Sequence, residues 1–454
     1  MDLHLDLLDA PGASMRARME HALREAVRSG RLAPGSRLPS TRALCAQLGV
    51  SRGVVVDAYA QLAAEGYLNT RRGGGTCVAA SVASPEPHSS RAVSDGSVRY
   101  DLNPFRPALD GFPRSVWLSA LTRVLRTVPD ECLGYPDAAG AFELRKTLAT
   151  YLGRVRGVRA VPEQILVTGG LRQGVELLWS TLAAHGARRV GVEQPGWRGM
   201  SETVSDTGLE VVHVPIDAHG LIVERLEETQ LDAVAIAPAH QYPSGAVLTA
   251  DRRVALIAWA RAHGALIVED DYDAEYRYDR QPIGSLQGLA PEHVVYGGST
   301  SKTLAPAIRL GWLVLPSALA ERVVARQRRR GSVPAPLHQL ALADLIERGE
   351  LDRHLRRQRR RYSRRREAML DALARKLPEA TVTGAAAGLY VVVGLPDGVS
   401  EQSALLAARS RGIALEAAES SSPALVVGYA NLPDTLVGHA VEALTASVHE
   451  ARGE

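Results

Sequence analysis

Lys302 is one of only three lysines in a chain of 454 residues that carries 53 lysines and arginines together. A guanidinium stays protonated and cannot serve as a nucleophile toward a carbonyl, so a retained primary amine has a chemistry that arginine lacks. Lys302 ends Ser299-Thr300-Ser301-Lys302, just after the apolar run Val294-Val295-Tyr296. The amine suits a Schiff base with an aldehyde; taken alone, the position fits a chance surface lysine equally well. Its neighbours decide. Thr168-Gly169-Gly170-Leu171-Arg172 leaves an apolar run ending at Val167 and opens a helical pattern, so its backbone amides can cradle a phosphate. Val268-Glu269-Asp270-Asp271-Tyr272 sets a carboxylate and a phenol at the end of another run, and Arg309 follows Lys302 by seven residues.

All three groups leave the carboxyl ends of expected strands, where open α/β sheets bind ligands. Pyridoxal 5'-phosphate needs such a set: an amine for its aldehyde, an acid at the ring nitrogen, a donor near the ring oxygen, and cationic or hydroxyl donors for the phosphate. Two other readings compete for the acidic cluster Asp270, Asp271, Asp273 and Glu275. A metal site is disfavoured, because no histidine lies close in sequence and the interleaved tyrosines suit ring packing better than an oxygen cage. A solvated turn stays open.

Those strand ends require a sheet to position them. Short β-branched runs alternate with helical patterns: Ile165 to Val167, Val190 to Val192, Val211 to Val214, Ala233 to Ala237, Ala265 to Val268, Val294 to Tyr296 and Leu310 to Leu315. The alternation predicts an α/β fold, a mostly parallel sheet with helices on both faces, as a large subdomain over about 130–330. From about Leu337 long basic helices lead into a smaller α+β subdomain, over about 331–454. The arginine-rich stretch Arg353 to Arg366 reads as a helix with a solvated basic face rather than a second DNA contact.

Residues 79–98 break the pattern with small residues, serines and prolines, as a flexible linker does. Before it, residues 1–78 form a separate module. Arg16 to Ser29 is helical by period and stops at Gly30; Ser40 caps a second helix, Thr41 to Leu48; Ser51 caps a third running to about Glu65. Two short helices about a glycine turn make a helix-turn-helix, and Arg71-Arg72-Gly73-Gly74-Gly75-Thr76 reads as a wing. Helix spacing alone does not establish DNA binding. The glycine run is no phosphate loop, since no buried strand precedes it and no helix follows.

Composition excludes several classes. The apolar share of 46% and charged share of 23% fit a soluble globular chain, with no run long enough to span a membrane and no signal-peptide pattern at the start. Cys45, Cys77 and Cys132 lack disulfide or metal spacing, which suits a reducing compartment; the cytoplasm is the expected location and no metal is expected. A net charge of +3 is too small to imply nucleic acid without local patterning.

That patterning exists. Leu32 to Arg42, with its Leu38-Pro39-Ser40-Thr41-Arg42, then Gly49-Val50-Ser51-Arg52, Ala58-Tyr59 and Glu65-Gly66-Tyr67-Leu68 resemble the GntR-family winged helix over its whole length. The resemblance nominates Arg42, Ser51, Arg52, Arg72 and Gly73 as DNA contacts, with Gly53 and Val54 replacing the polar residues frequent on the reading face. From about Tyr100 to Ser447 the chain resembles fold-type I aminotransferases, and within them the fused MocR (GabR-like) regulators. The motifs Leu133-Gly134-Tyr135-Pro136-Asp137, Glu193-Gln194-Pro195-Gly196-Trp197, Pro238 to Gly245, Glu269 to Tyr278 and Ser301-Lys302 to Gly311 stand in that family's order. Carried over, Lys302 is the internal aldimine lysine and Asp270 the partner of the pyridine nitrogen. Tyr272 reaches the ring oxygen and Trp197 stacks on the ring. Ser299 and Arg309 hold the phosphate, with Tyr135 from a second subunit. Gly170, Leu171 and Arg172 occupy the loop where Gly-Ser-Gln is common, and Arg172 is expected to compensate for the missing hydroxyl. Tyr242 replaces a frequent asparagine, so His240 and Gln241 become the nearby polar candidates.

Val426 is the largest departure. It stands in Leu425-Val426-Val427-Gly428-Tyr429, where aminotransferases of this type carry an arginine that forks onto the substrate's α-carboxylate. Without that clamp near-attack geometry is hard to reach, so transaminase activity is expected to be weak or absent. The resemblance therefore implies a homodimeric transcription regulator that binds a double-stranded operator and senses pyridoxal 5'-phosphate or an amine; the missing clamp leaves the cofactor as the simplest signal, and vitamin B6 metabolism is the expected target. The alternative is an active aminotransferase whose DNA-binding module controls its own expression.

Overall fold

Three serines start the three helices of the first unit. Ser14 Oγ accepts from Ala17 N at 3.2 Å, Ser40 Oγ from Ala43 N at 3.2 Å and Ser51 Oγ from Val54 N at 3.5 Å. Each hydroxyl satisfies an amide that the helix itself leaves open. The helices run Met15–Arg28, Thr41–Leu48 and Arg52–Ala64, and strands β1 (Leu68–Arg71) and β2 (Gly75–Val78) pair antiparallel after them. Met19, Leu23, Leu44, Val55 and Leu62 are all fully buried and meet in one core. Burial of each such side chain contributes about 1.5–3 kcal/mol. Arg24 forks onto Glu65 at 2.8 Å, tying the first helix to the end of the third.

The computed structural model describes residues 7, 11, 14–71, 75–79, 98–278, 283–384, 386–420 and 422–453. It divides into two compact units, Met1–Ser94 and Asp95–Glu454. Of the segment read as a linker, only Ala79 and Val98 lie among the described residues.

In the second unit β3 (Tyr100–Asp101) comes first. Strands β4 (Ile165–Thr168), β5 (Arg189–Gln194), β6 (Glu210–Asp217), β7 (Gly220–Leu221), β8 (Ala233–Ile236), β9 (Leu266–Asp271), β10 (Val294–Ser299) and β11 (Gly311–Val314) then build one sheet. Its order is β4-β11-β10-β9-β8-β5-β6-β7. The core pairs β10–β9, β9–β8, β8–β5 and β5–β6 are parallel. The run at Leu310 to Leu315 departs from the expected parallel pattern: β11 lies antiparallel to both β10 and β4. Residues 300–310, which link β10 to β11, are fewer than the dozen or more that a parallel crossover needs. Lys302 sits in that short connection.

Successive residues of the sheet face opposite cores. Ile165, Val167 and Val314 pack with Leu144, Leu148 and Leu342 from the helices Phe142–Arg156 and Pro336–Glu347. Leu166, Val295 and Leu313 pack instead with Val175, Leu178 and Val323 from the helices Leu171–Ala184 and Ser317–Arg330. Buried on both sides, these strands read as short continuous apolar runs.

The smaller subdomain follows a 27-residue helix, Glu350–Lys376. Strands β12 (Thr381–Thr383), β13 (Tyr390–Gly394), β14 (Ile413–Ala414), β15 (Glu416–Ala417) and β16 (Ala424–Gly428) complete the fold. The sheet β12-β13-β16-β15 is antiparallel throughout, and β14 pairs with β3. On the long helix several arginines are engaged within the chain, Arg353 with Glu350, Arg361 with Asp110 and Arg365 with Asp434. Arg356, Arg357 and Arg360 stay exposed. Among the described residues no helix is long and apolar enough to cross a membrane.

Candidate functional site

The carboxyl ends of β4, β5, β8, β9 and β10 open onto one cavity of about 370 Å³. Gly170, Leu171, Trp197, Asp270, Tyr272, Ser299, Lys302 and Arg309 line it. Parallel strands present their exits on one edge of the sheet, which is why residues more than a hundred positions apart converge there.

At one wall the chain is tightly turned. Gly170 has φ 118, a backbone that favours glycine, and begins the helix Leu171–Ala184 with its open amides. A Cβ on Gly311 would stand 2.7 Å from the Gly170 carbonyl carbon, so this contact is made backbone to backbone. A Cβ on Gly170 would stand 3.5 Å from Arg309 Nη1, which puts the guanidinium beside the helix start. Arg309 itself has φ 53, an uncommon backbone for a residue with a side chain. No carboxylate pairs with it among the described residues. Helix amides and an unpaired guanidinium together make an anion site.

Elsewhere in the cavity the ionisable groups lean toward neutrality. Burial pushes the Asp270 carboxyl up to about 8, with Asp271 and Asp273 adding to the effect and Lys302 opposing it. Its Oδ1 is shut off from solvent and has no partner among the described residues. Glu193, also on the wall, is pushed by burial to about 8 against the pull of the Ala237 amide at 3.0 Å. Burial lowers the Lys302 amine, opposed by Asp273 and Asp270. A lowered amine is more often unprotonated, the form that attacks a carbonyl. Lys302 Nζ donates to the Phe105 carbonyl at 2.7 Å and lies 5.4 Å from the Phe105 ring centroid.

The acidic cluster disperses rather than forming a cage. Asp270 alone of Glu269, Asp270 and Asp271 lines the cavity. Asp271 Oδ2 takes Arg156 Nε at 2.6 Å and the Tyr296 hydroxyl at 2.6 Å, and Glu269 accepts from the Leu286 and Gln287 amides at 2.9 and 3.0 Å. Asp273 pairs with His240 at 2.9 Å. Glu269, Asp271 and Asp273 are buried, which removes the solvated-turn reading. Among the described residues no group of three or more His, Cys, Asp and Glu is arranged to hold a metal ion.

Several residues named from the sequence fall elsewhere. Gln241 does not line the cavity: its amide bonds the Pro195 carbonyl at 2.8 Å and the Tyr242 carbonyl, and its oxygen takes Ser244 Oγ at 2.7 Å. That side chain is taken up by these partners and by Glu193, and Tyr242 takes the place on the wall. Arg172 lines the cavity, but its guanidinium is held at 3.2 Å by both Glu176 and Glu202, so it does not stand in for a missing hydroxyl. Tyr135 is fully exposed and does not line this chain's cavity. Phe105, Glu193, Ser301 and Tyr242 also line the cavity, though none was singled out for it from the sequence. Glu193 lay within a quoted motif; Phe105 has no local signal, since 197 positions separate it from the lysine it touches.

In the first unit Arg42 and Arg52 are exposed near the starts of the second and third helices, and neither pairs with a carboxylate among the described residues. Ser51, also exposed, uses its hydroxyl as the cap of the third helix. Arg72 and Gly73 lie outside the described residues.

Comparison with known proteins agrees with both halves. Residues 16–78 match the bacterial regulatory proteins of the gntR family, and residues 110–444 match aminotransferase class I and II. The pyridoxine biosynthesis transcriptional regulator PdxR of Corynebacterium glutamicum is 36% identical over 398 residues, covering 86% of each chain. The probable rhizopine catabolism regulatory protein MocR of Rhizobium meliloti is 31% identical over 421 residues, 88% of this chain and 85% of that one. Among solved structures, the kynurenine aminotransferase of Pyrococcus horikoshii in complex with PMP superposes with a TM-score of 0.71 at 25% identity, over 78% of this chain and 92% of that one. With a GntR DNA-binding module joined to an aminotransferase class I and II domain, and regulators of that build matching along most of its length, the chain belongs to the MocR-type transcription regulators of the GntR family.

Proposed function

We propose that DNA binding by this regulator responds to pyridoxal 5'-phosphate, or to an amine that reacts with it, held in the cavity at Lys302. The observation that carries this reading is the unpartnered, enclosed Oδ1 of Asp270 in a cavity that also holds a lysine amine and an unpaired arginine. A buried carboxyl pushed to about 8 keeps a proton it can share with a pyridine nitrogen. Without such a partner that buried oxygen is costly. The Gly170 helix start and Arg309 suit a phosphate, and Trp197 offers an aromatic face.

When bound, the cofactor supplies an aldehyde that combines reversibly with amines. In this reading Lys302 gives the amine and Asp270 holds the ring-nitrogen proton. Tyr272 donates to the ring oxygen and Trp197 packs the ring face. Ser299, Arg309 and the amides of Gly170, Leu171 and Arg172 hold the phosphate. Tyr135 contributes from a second copy, which makes the regulator a homodimer, and the cytoplasm is its location. The working division is a winged helix over 1–78, a linker over 79–98 and the cofactor domain over 99–454, with Arg42, Ser51, Arg52, Arg72 and Gly73 as the DNA contacts. The Corynebacterium relative, named for pyridoxine biosynthesis, supports vitamin B6 metabolism as the regulated target.

Val426 argues against a working aminotransferase. It is fully buried in β16 among Tyr390, Val392 and Ala424, with Tyr242 packed on the cluster, and offers no donor to a carboxylate. The test is a titration of cofactor-free protein with pyridoxal 5'-phosphate, following visible absorbance while binding to the protein's own upstream DNA is measured in parallel. The expected result is that both change together. Absorbance that rises while DNA affinity stays fixed would overturn the sensor reading.

A further inference from the structure

The Tyr272 hydroxyl is engaged on the side away from its ligand role. It lies 3.1 Å from His240 Nδ1 and 3.2 Å from the Tyr390 hydroxyl. The same His240 Nδ1 lies 2.9 and 3.1 Å from the two oxygens of Asp273. His240 is 2% exposed and Asp273 and Tyr390 are each 1% exposed, so these contacts exclude water. The imidazole stacks on Tyr390 at 5.2 Å and on Tyr272 at 5.9 Å. Gly388, at φ 84, closes over it so tightly that a Cβ there would run into the ring. The other nitrogen, His240 Nε2, is buried without a partner among the described residues. Among the described residues only the Nδ1 edge of this histidine is in use.

We propose that His240 and Asp273 are positioning residues that turn Tyr272 into a one-way hydrogen-bond donor toward the cavity. Asp273 accepts the Nδ1 proton and so fixes the tautomer. The same N–H is shared with the Tyr272 oxygen, which can then only accept from the imidazole, and the phenol proton must go elsewhere. In the chain alone it goes to Tyr390, whose own hydroxyl donates to the Gln241 carbonyl at 3.4 Å. An anionic oxygen beside a ligand's aldehyde is the stronger acceptor and draws the proton into the cavity. Burial first, then Asp273, raises the Tyr272 phenol well above its usual range and keeps it a donor. The selected ligand class is an aromatic aldehyde with an ionised ring oxygen next to it. The inference rests on the cofactor reading above.

The visible absorbance of the full-length protein loaded with pyridoxal 5'-phosphate, followed against pH, tests this. Lys302, Asp270, Glu193 and Arg309 face the same ligand and are kept unchanged. Replacing His240 by leucine, H240L, removes the N–H that directs Tyr272, so the ionised form of the ligand loses a donor and the pH midpoint rises by about one unit. His240→Asn retains an N–H on the Nδ1 edge and holds the midpoint near that of the unaltered protein. His240→Phe removes the same N–H while keeping a ring against Tyr272 and Tyr390, moves the midpoint upward as well, and serves where the leucine variant does not fold. In a Tyr272→Phe background H240L adds no further shift. A midpoint unmoved by H240L and His240→Phe in folded, loaded protein would overturn the proposal, as would an equal shift with and without Tyr272. Absence of any visible band in the unaltered protein would instead remove the cofactor reading, and this inference with it.

Discussion

Arg42, Ser51 and Arg52 stand in solvent at the starts of short helices, while Asp270 Oδ1 is enclosed and Lys302 Nζ is held by a backbone carbonyl 2.7 Å away. Charge on the exposed face is screened by salt and acts in increments, one side chain at a time. Groups in the cavity meet a poorer dielectric, where a missing partner or an added charge costs much more. One chain thus contains a surface tuned by degrees and a pocket that works as a unit.

The largest expected effect is in the pocket. Lys302→Ala should abolish the visible band formed with pyridoxal 5'-phosphate and the ligand-dependent change in DNA binding, while binding to DNA without ligand persists; gel-shift titrations with and without cofactor check it. An intact ligand response in that variant would break the contrast at its centre. Next comes a charge placed in each environment. Val426→Arg buries an unpaired guanidinium and should destabilise the fold by about 3–5 kcal/mol, whereas Val56→Arg, at a residue 43% exposed, should change it by about 0.5 kcal/mol or less. Chemical denaturation of both variants compares them directly.

On the DNA face, Arg52 at the start of the third helix is proposed to reach a base edge, so Arg52→Ala should weaken operator binding by about 1–3 kcal/mol. Arg42 is proposed as a phosphate contact, so Arg42→Ala should reduce the salt slope of binding by about one. Fluorescence anisotropy at several salt concentrations separates the two. The last effect concerns pH. In the cofactor-free protein folded Asp270 keeps its proton up to about 8, while in the unfolded chain it ionises near its ordinary value of 3.8. The folded state therefore binds more protons between those values, and stability falls as pH rises through that window, then levels off above it. Asp270→Asn should flatten part of the drop in melting temperature between pH 5 and pH 8. Glu193, Glu269, Asp273 and Glu275, also raised by burial, keep the remainder.

Much of the pocket was legible because its parts follow strands directly. Gly170, Asp270, Tyr272 and Ser299 sit within a few residues of an apolar run, and a parallel sheet brings such exits to one edge. Phe105 and Tyr390 were not legible. They come from segments before and after the large sheet, and only the packing of the smaller subdomain brings them near Lys302 and Tyr272. Gln241 was misplaced because its amide is taken by two backbone carbonyls, that of Tyr242 beside it and that of Pro195, 46 positions away, and the second has no local signal. The antiparallel course of β11 was likewise set by the length of a connection rather than by composition. In the winged helix the serine caps were readable one by one, because capping depends on a single residue and its next three neighbours.

The carbonyl of Phe105 gives the pocket a thermodynamic character of its own. Because it already accepts from Lys302 Nζ, an incoming aldehyde does not meet a free amine; it must displace a competitor that is tethered in place and never diluted. Exchange against a hydrogen bond of about 1 kcal/mol lowers the apparent affinity roughly fivefold below the intrinsic one. The level of aldehyde at which the protein half-fills is thereby set partly by a residue that the ligand itself need never touch.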